Sequence, residues 1–390
     1  MSRFMLVVPP LAGHVNPAAA LGHTLAARGH EVAWVSAESF IRPAVGADAT
    51  VYGTGTRLYR SQTERGVAGL KSLWEEFVVP CARFTLRAVD KAAADYQPDV
   101  IVADQFALAG AIVARRYGLR WASLAASSLE LIRPYRRLPH VDAWIRGQRA
   151  AVCAEAGLPE DEAFDPGFSP YLVLACTTAA LTGTMAFGDQ VALVGPMLDS
   201  GRRSPSFPWE RLDPDRQHVA VTMGTLAGHL TQDFHRAAVD ALRPLGDRLQ
   251  AIVMAPAAAV PDPPSHIIVV PEAPLLALMP DLDAVICHGG LNTVSEALAH
   301  GVPLVIAPIR HDQPVNAALV VAAGAGVRVP FARARAERLR AALVTVLDDP
   351  AYARAARRAG DSFAAAGGAQ AAAERLAILA APVSKGSPSQ

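Results

Sequence analysis

The chain has 390 residues, of which 52% are hydrophobic, and its 36 basic residues balance its 36 acidic ones. This length suits two domains of roughly 150–200 residues each, and the balanced charge argues against nucleic acid as the main partner. No apolar run reaches the roughly 18 residues that a membrane-spanning helix needs. The first residues are more typical of a strand than of a signal peptide, so a cytoplasmic location is expected.

The first half of the chain alternates strands and helices. Apolar runs from Phe4 to Val8 and from Val32 to Val35 enclose a loop and a helix from Ala18 to Arg28, which is the repeating unit of a parallel sheet. The alternation continues with a helix over about 70–95, a strand at 98–103, a helix over about 107–117 and a strand at 120–124. The polar, proline-bearing region from about 130 to 170 is predicted to be an irregular insertion.

A segment rich in Pro, Gly and Ser lies between Gly195 and Gln217, and it is the best candidate for a linker. Strands are then predicted at 218–222, 249–254, 267–270, 284–287 and 303–307, with helices between them. We therefore predict an α/β protein with two doubly wound Rossmann-like domains facing a cleft. The predicted parts are a first domain (1–197), a linker (198–217), a second domain (218–365), a C-terminal helix returning to the first domain (366–381) and a disordered tail (382–390).

Paired α/β domains serve many functions, so the function must be inferred from the sequences of the loops. A dinucleotide enzyme would carry G-x-G-x-x-G after its first strand. The first loop, LAGHVNP, has one glycine, and Gly224 and Gly228 in the second domain are four residues apart. Neither loop fits, which argues against hydride transfer.

The segment His288 to Glu296 is the strongest candidate for a binding site. An apolar strand ends at Cys287, two glycines follow, and a helix begins, so free backbone N–H groups and the helix dipole favour an anion there. Three side chains add donors at the same place: His288, Asn292 and Thr293. The carboxylate of Glu296 would repel a phosphate but could accept hydrogen bonds from ribose hydroxyls. A capped helix would give the same pattern without any ligand.

A second polar pair, Asp312 and Gln313, follows the strand 303–307 and should lie on the same rim. Its acceptors and amide match the hydroxyls of a sugar. The pair also suits capping of the next helix, with Pro314 in the first turn, and both roles are compatible.

His14 is the candidate general base. It lies in the loop after the first strand, and a histidine with a near-neutral pKa suits proton abstraction from a hydroxyl. Asp104 ends a strand at the same sheet edge and could orient the imidazole ring. A capping or surface histidine and a helix-capping aspartate are the alternatives.

Two other groups of residues are interpreted as structural. Asp281 and Asp283 resemble a metal-binding D-x-D pair but stand in a turn before a buried strand, and the cysteines form no C-x-x-C pair, so we predict no metal. A basic cluster is interpreted as a solvated helix face, with the rim of an acceptor site as the alternative. Its members are Arg133, Arg136, Arg137, Arg146 and Arg149.

The segment VVPEAPLLALMPDLDAVICHGGLNTVSEALAHGVPLVIAPIRHDQPVNA resembles the donor signature of the family-one nucleotide-sugar glycosyltransferases, which have the two-domain GT-B fold. The family includes the antibiotic glycosyltransferases and the plant secondary-product glycosyltransferases. The resemblance extends over about residues 3–380. It implies that His14 and Asp104 are catalytic. It also implies roles for the second domain: diphosphate binding by Gly224, Thr225, His288, Gly290, Asn292 and Thr293, base contact by Val270, ribose binding by Glu296, and sugar binding by Asp312 and Gln313.

Three positions depart from the plant-type signature. Val269 stands where a tryptophan stacks on the base, Glu272 replaces a glutamine, and His311 replaces a tryptophan before the Asp–Gln pair. The base and the sugar are therefore left open.

The resemblance implies an inverting transfer of a hexose or deoxyhexose from a UDP- or dTDP-sugar to a hydroxyl of a hydrophobic natural product. The sugar nucleotide is a co-substrate, and no cofactor is expected. A homodimer is compatible with the sequence. The alternatives are a sugar-nucleotide epimerase, which would not need a hydrophobic acceptor pocket, and a non-catalytic activating partner, which would lack His14 or the donor-site residues.

Overall fold

The computed structural model describes residues 1–55, 64–161, 163–183, 185–199, 205–224 and 231–382. Within them the chain forms two parallel sheets covered by helices. The first sheet has the strand order β3-β2-β1-β4-β5-β6-β7. Its strands are β1 (Arg3–Val7), β2 (Glu31–Ser36), β3 (Thr50–Gly53), β4 (Val100–Asp104), β5 (Arg120–Ala125), β6 (Leu172–Ala175) and β7 (Val191–Leu193).

The second sheet has the order β10-β9-β8-β11-β12-β13. Its strands are β8 (Gln217–Thr222), β9 (Leu249–Met254), β10 (Ile267–Val270), β11 (Ala284–Cys287), β12 (Leu304–Ile306) and β13 (Gly326–Arg328). The predicted α/β class with two doubly wound sheets is confirmed.

Helices cover both faces of each sheet. Those of the first part are α1 (Ala12–Ala27), α2 (Glu38–Val45), α3 (Gly66–Ser72), α4 (Val79–Tyr96), α5 (Leu108–Tyr117), α6 (Ser128–Ile132), α7 (Pro139–Glu155) and α8 (Ala179–Thr182), with a π-helical stretch (Leu73–Val78) between α3 and α4. Those of the second part are α9 (Gln232–Leu242), α10 (Leu275–Leu278), α11 (Leu291–Ala299), α12 (Gln313–Ala322), α13 (Ala336–Asp348), α14 (Pro350–Ala366) and α15 (Gly368–Ala380).

Alternating side chains of each strand enter separate cores, as a sheet buried on both faces requires. In β1, Phe4 and Leu6 pack in the core that also contains Leu21 of α1 and Leu376 of α15. Met5 and Val7 point to the opposite face and pack against α4 and α5. The last helix, α15, therefore lies against the first sheet, beside α1.

Strand order reverses beside the first strand of each sheet. β2 and β3 lie on one side of β1 and β4 on the other, and β8 has β9 and β11 as its two neighbours in the same way. Crevices at such reversals, outside the carboxyl ends of the strands, are where open α/β sheets bind ligands. The fold thus predicts two ligand-binding crevices, one between β1 and β4 and one between β8 and β11.

Two predictions about the first domain are wrong. The first helix begins at Ala12 and not at Ala18, so His14 lies in its first turn and not in a loop, and the helix accommodates Pro17 within it. The region predicted to be irregular contains the 17-residue helix α7. Residues 383–390 of the expected tail lie outside the described residues.

No helix in the described part of the chain has the length and apolarity that a membrane span demands.

The position of α1 depends on Gly22. A Cβ atom there would lie 2.2 Å from Cζ2 of Trp34 on β2, so Gly22→Ala must displace either α1 or the Trp34 ring. We expect it to lower the free energy of unfolding by about 1–3 kcal/mol, the usual cost of overpacking. Gly147→Ala in α7 is the matched control, because nothing lies within 4 Å of its added Cβ. Urea unfolding measures both, and a Gly22→Ala variant as stable as the wild type would contradict this packing.

Candidate active site

His14 and Asp104 meet at the strand reversal of the first sheet. His14 Nδ1 lies 2.8 Å from Asp104 Oδ2, and both side chains are buried. The other carboxylate oxygen of Asp104 accepts a hydrogen bond from Phe106 N at 2.9 Å, and the Phe106 ring lies 5.0 Å from the imidazole ring. With Nδ1–H directed at a fixed carboxylate, Nε2 is the nitrogen that can accept a proton.

Two carboxylates act on His14. Burial alone would lower the pKa of His14, but the charge and hydrogen bond of Asp104 and the charge of Asp312 raise it above its ordinary value of 6.5. Burial raises the pKa of Asp312, against hydrogen bonds from Asn316 and Ser127 and the charge of His14. The two sheets therefore bring a histidine of one and a carboxylate of the other within electrostatic reach.

The strand reversal of the second sheet forms a turn that can bind an anion. β11 ends at Cys287, Gly289 adopts φ +86°, and Gly290 caps α11 without a side-chain hydrogen bond. The free N–H groups of that first turn and the helix dipole favour negative charge. Gly224, which follows β8, packs against the turn: a Cβ there would lie 2.6 Å from Cε1 of His288.

His288 is a neutral imidazole in this turn. Burial lowers its pKa to about 4, helped by the charge of Arg310 and opposed by the backbone of Thr222. Gly290 leaves room for the ring, since a Cβ at that position would lie 2.7 Å from Nε2 of His288. A neutral histidine has one N–H, which His288 can donate either to the Thr222 backbone or to an anion.

The remaining residues of α11 line a crevice against the first domain. Asn292 and Glu296 face Asn16 and Pro17 of α1 across it. Glu296 is buried, whereas Asn292 and Thr293 are half-buried in the first helical turn. The structure thus places the Glu296 carboxylate about one helical turn after the first turn of α11.

Two expected donor-site residues have their oxygens engaged by the protein. Gln313 Oε1 accepts hydrogen bonds from Ile309 N at 2.9 Å and Arg310 N at 3.0 Å, so only its amide N–H groups remain for a sugar. The Val270 carbonyl accepts a hydrogen bond from Ala255 N at 2.9 Å, because β10 pairs with β9 there. The acceptors predicted for the Asp312–Gln313 pair must therefore come from Asp312, because the loop before α12 uses the Gln313 oxygen.

Other predicted residues are placed as follows. Thr225 lies outside the described residues. Asp283 is a structural carboxylate that accepts a hydrogen bond from His218 N at 2.8 Å. Within the described ranges, no three His, Cys, Asp or Glu side chains converge as metal ligands would.

The arginine cluster is not a uniformly solvated face. Arg133 and Arg149 are buried, and they pair with Asp165 at 2.7 and 3.0 Å. Arg149 also pairs with Glu130, a fully buried carboxylate of α6. Buried charges need such partners, so this network fixes α6 against α7, while Arg136, Arg137 and Arg146 are exposed.

Sequence reasoning missed the residues that join the two sheets. Ser128 Oγ of α6 donates a hydrogen bond to Asn316 Oδ1 of α12, and Ser127 bonds to Asp312. The spacing of Asp312 and Asn316, four residues apart at the start of a helix, was the available signal, since such residues share a face.

Comparison with known proteins shows which families and folds the chain is similar to. Residues 248–379 match the family model of the erythromycin biosynthesis protein CIII-like C-terminal domain. The chain is 26% identical to NDP-glycosyltransferase YjiC of Bacillus subtilis (strain 168), covering 94% of each protein. It is 28% identical to 4'-demethylrebeccamycin synthase of Lentzea aerocolonigenes, covering 93% of this chain and 96% of the relative.

Solved structures share the fold over nearly the whole chain. The glycotransferase of kitacinnamycin superposes with a TM-score of 0.80 at 24% identity, covering 97% of this chain and 99% of that one. Glycosyltransferase VinC, solved in complex with DTDP, superposes with a TM-score of 0.76 at 20% identity, covering 97% and 99%. The two doubly wound sheets form a GT-B fold, and together with the family match over residues 248–379 and the curated relatives they indicate a glycosyltransferase that is similar to the antibiotic glycosyltransferases of family one.

Proposed function

We propose that the chain is an inverting glycosyltransferase that uses His14 as its general base. It moves a hexose or deoxyhexose from a UDP- or dTDP-sugar to a hydroxyl of a hydrophobic natural product. The observation that carries the proposal is the pairing of His14 with Asp104 at 2.8 Å, within electrostatic reach of Asp312 on the other sheet.

The proposed reaction is one displacement. The acceptor hydroxyl gives its proton to Nε2 of His14, and the resulting oxygen forms a bond to the anomeric carbon. The bond from that carbon to the phosphate oxygen breaks, and the nucleoside diphosphate leaves with the electron pair. A single displacement inverts the anomeric configuration. The Asp104 carboxylate stabilises the imidazolium, as an aspartate does in a hydrolase triad.

The donor would bind along the carboxyl edge of the second sheet. Its diphosphate would accept hydrogen bonds from the first N–H groups of α11, beginning at Gly290, and from His288. These donors and the helix dipole would stabilise the charge on the leaving group, so the proposal needs no cofactor. Glu296 would accept from the ribose, and Asp312 with the Gln313 amide would hold the sugar.

The acceptor preference is supported by apolar residues beside the base. Leu11 and Phe106 flank His14 and pack in a core with Leu70 and Trp144, both half-buried. A relative named for demethylrebeccamycin synthesis and a structure holding DTDP favour a natural-product acceptor and a dTDP-sugar. A cytoplasmic location remains part of the proposal.

The pH dependence of turnover tests the base. Because the pKa of His14 is raised above 6.5 by the carboxylates, kcat/KM should rise with pH through an inflection above that value, as Nε2 becomes free to accept a proton. Asp104→Asn removes one of the two charges and should move the inflection to lower pH. The pH dependence of kcat/KM in the wild type and in Asp104→Asn measures this shift. The same inflection in both proteins would contradict the pairing of His14 with Asp104.

His14→Ala tests the same residue without titration. We expect turnover to fall about 10²–10⁴-fold, the usual contribution of general-base catalysis, while binding of UDP or dTDP persists because the donor site lies on the other sheet. Isothermal titration with each nucleotide is the control for folding. Wild-type turnover in this variant would remove His14 from the mechanism.

The anion site is tested by Gly290→Ala. The added Cβ would lie 2.7 Å from Nε2 of His288, so it must displace the imidazole, and the affinity for UDP or dTDP should fall about 10–100-fold with the loss of a charge-assisted hydrogen bond. A thermal-shift titration measures the affinity. At a nucleotide concentration of about 100 times Kd, binding adds roughly 2.7 kcal/mol to the free energy of unfolding of the wild type. Gly147→Ala should bind normally. A wild type that neither nucleotide stabilises would refute the donor site.

A further inference from the structure

Asn316 connects three parts of the molecule without reaching the cleft itself. Its side chain is fully buried on α12. Nδ2 donates to the Gly289 carbonyl at 2.8 Å and to Asp312 Oδ2 at 3.0 Å, and Oδ1 accepts from Ser128 Oγ. The orientation of the amide is determined by its partners, since a carbonyl and a carboxylate only accept whereas a serine hydroxyl can donate.

Two of these partners belong to the donor side. Gly289 precedes the cap of α11 and has φ +86°, so the hydrogen bond to its carbonyl fixes the turn from which the free N–H groups of α11 project. Asp312 is the second-domain carboxylate whose charge, with that of Asp104, raises the pKa of His14. Asn316 therefore fixes the turn at Gly289 and the carboxylate of Asp312 relative to each other.

The third partner belongs to the acceptor side and is itself firmly held. Ser128 begins α6, which follows β5, the neighbour of the strand that ends at Asp104. Two residues later Glu130 is fully buried, paired with Arg149 and accepting from Tyr135 Oη at 2.8 Å. The position of Ser128 is therefore fixed by the domain that carries His14.

We propose that Asn316 is a positioning residue that couples contact between the two domains to the geometry of the donor turn. When the cleft closes, Ser128 completes the hydrogen bonds of Asn316, and the amide then aligns Gly289 and Asp312 opposite His14. Asn316 touches no substrate. This inference rests on the proposed function, in which the turn binds a diphosphate and Asp312 binds the sugar.

The coupling predicts different losses for the two partners. Ser128→Ala removes only the Ser128–Asn316 hydrogen bond and leaves the bond between Ser127 and Asp312 in place, so kcat should fall about tenfold, in keeping with the loss of one buried hydrogen bond, while the Kd for UDP or dTDP stays within about twofold. Asn316→Ala also frees Gly289 and Asp312, so kcat and nucleotide affinity should both fall. Because Ser128 acts through Asn316, the double variant should be no slower than Asn316→Ala.

Ser362→Ala is the matched control. Ser362 Oγ of α14 donates to Thr178 Oγ1 at 2.9 Å, so it is another serine hydrogen bond to the first part of the chain, away from the donor turn. This variant should keep wild-type kcat. Ser128→Thr retains the hydroxyl and should recover most of the activity lost in Ser128→Ala.

Turnover is followed as release of nucleoside diphosphate from UDP-glucose or dTDP-glucose with 4-methylumbelliferone as acceptor. Hydrogen–deuterium exchange gives a readout that needs no turnover: UDP or dTDP should protect α6 (Ser128–Ile132) in the wild type and not in Ser128→Ala. Wild-type kcat in Ser128→Ala, losses that multiply in the double variant, or an equal loss in Ser362→Ala would each overturn the coupling. A wild type that binds neither nucleotide would instead refute the proposed function.

Discussion

The reversal of strand order beside the first strand of each sheet is the constraint on which the site depends. At a reversal the two neighbouring loops leave in opposite directions, and the crevice between them leaves backbone N–H groups and loop side chains free for a ligand. His14 and Asp104 occupy the crevice between β1 and β4, and His288 and Gly290 occupy that between β8 and β11. Chemistry between them requires that the two carboxyl edges face each other, and Ser128 contacts Asn316 between the two parts.

The two histidines of the cleft have opposite electrostatic surroundings. His14 is buried beside the carboxylates of Asp104 and Asp312, which raise its pKa, whereas burial and the Arg310 charge lower the pKa of His288 to about 4. Environments that push such pKa values apart assign different chemical roles to the same residue type. The first suits a base that must hold a proton during the reaction, and the second suits a neutral hydrogen-bond donor to a phosphate.

The inner strands could be predicted from the sequence because both their faces are buried, which produces continuous apolar runs; β9 and β11 have the predicted bounds, and so does the apolar edge strand β10. The short edge strands β3, β7 and β13 are partly exposed and lack this signal. Helix α7 was missed because Arg149 stands on its buried face, and its partner Glu130 lies on another helix. Local motifs likewise indicated Gln313, but only the tertiary structure shows that the oxygen of its side chain is bound by the loop before α12.

The central claim is that a diphosphate at the start of α11 faces the base across the cleft. A crystal structure with UDP or dTDP bound tests it most directly. The account predicts the β-phosphate on the N–H groups that follow Gly290, beside His288, with its terminal oxygen turned toward His14. A diphosphate bound at another edge of either sheet, or one whose terminal oxygen points away from His14, would contradict the account.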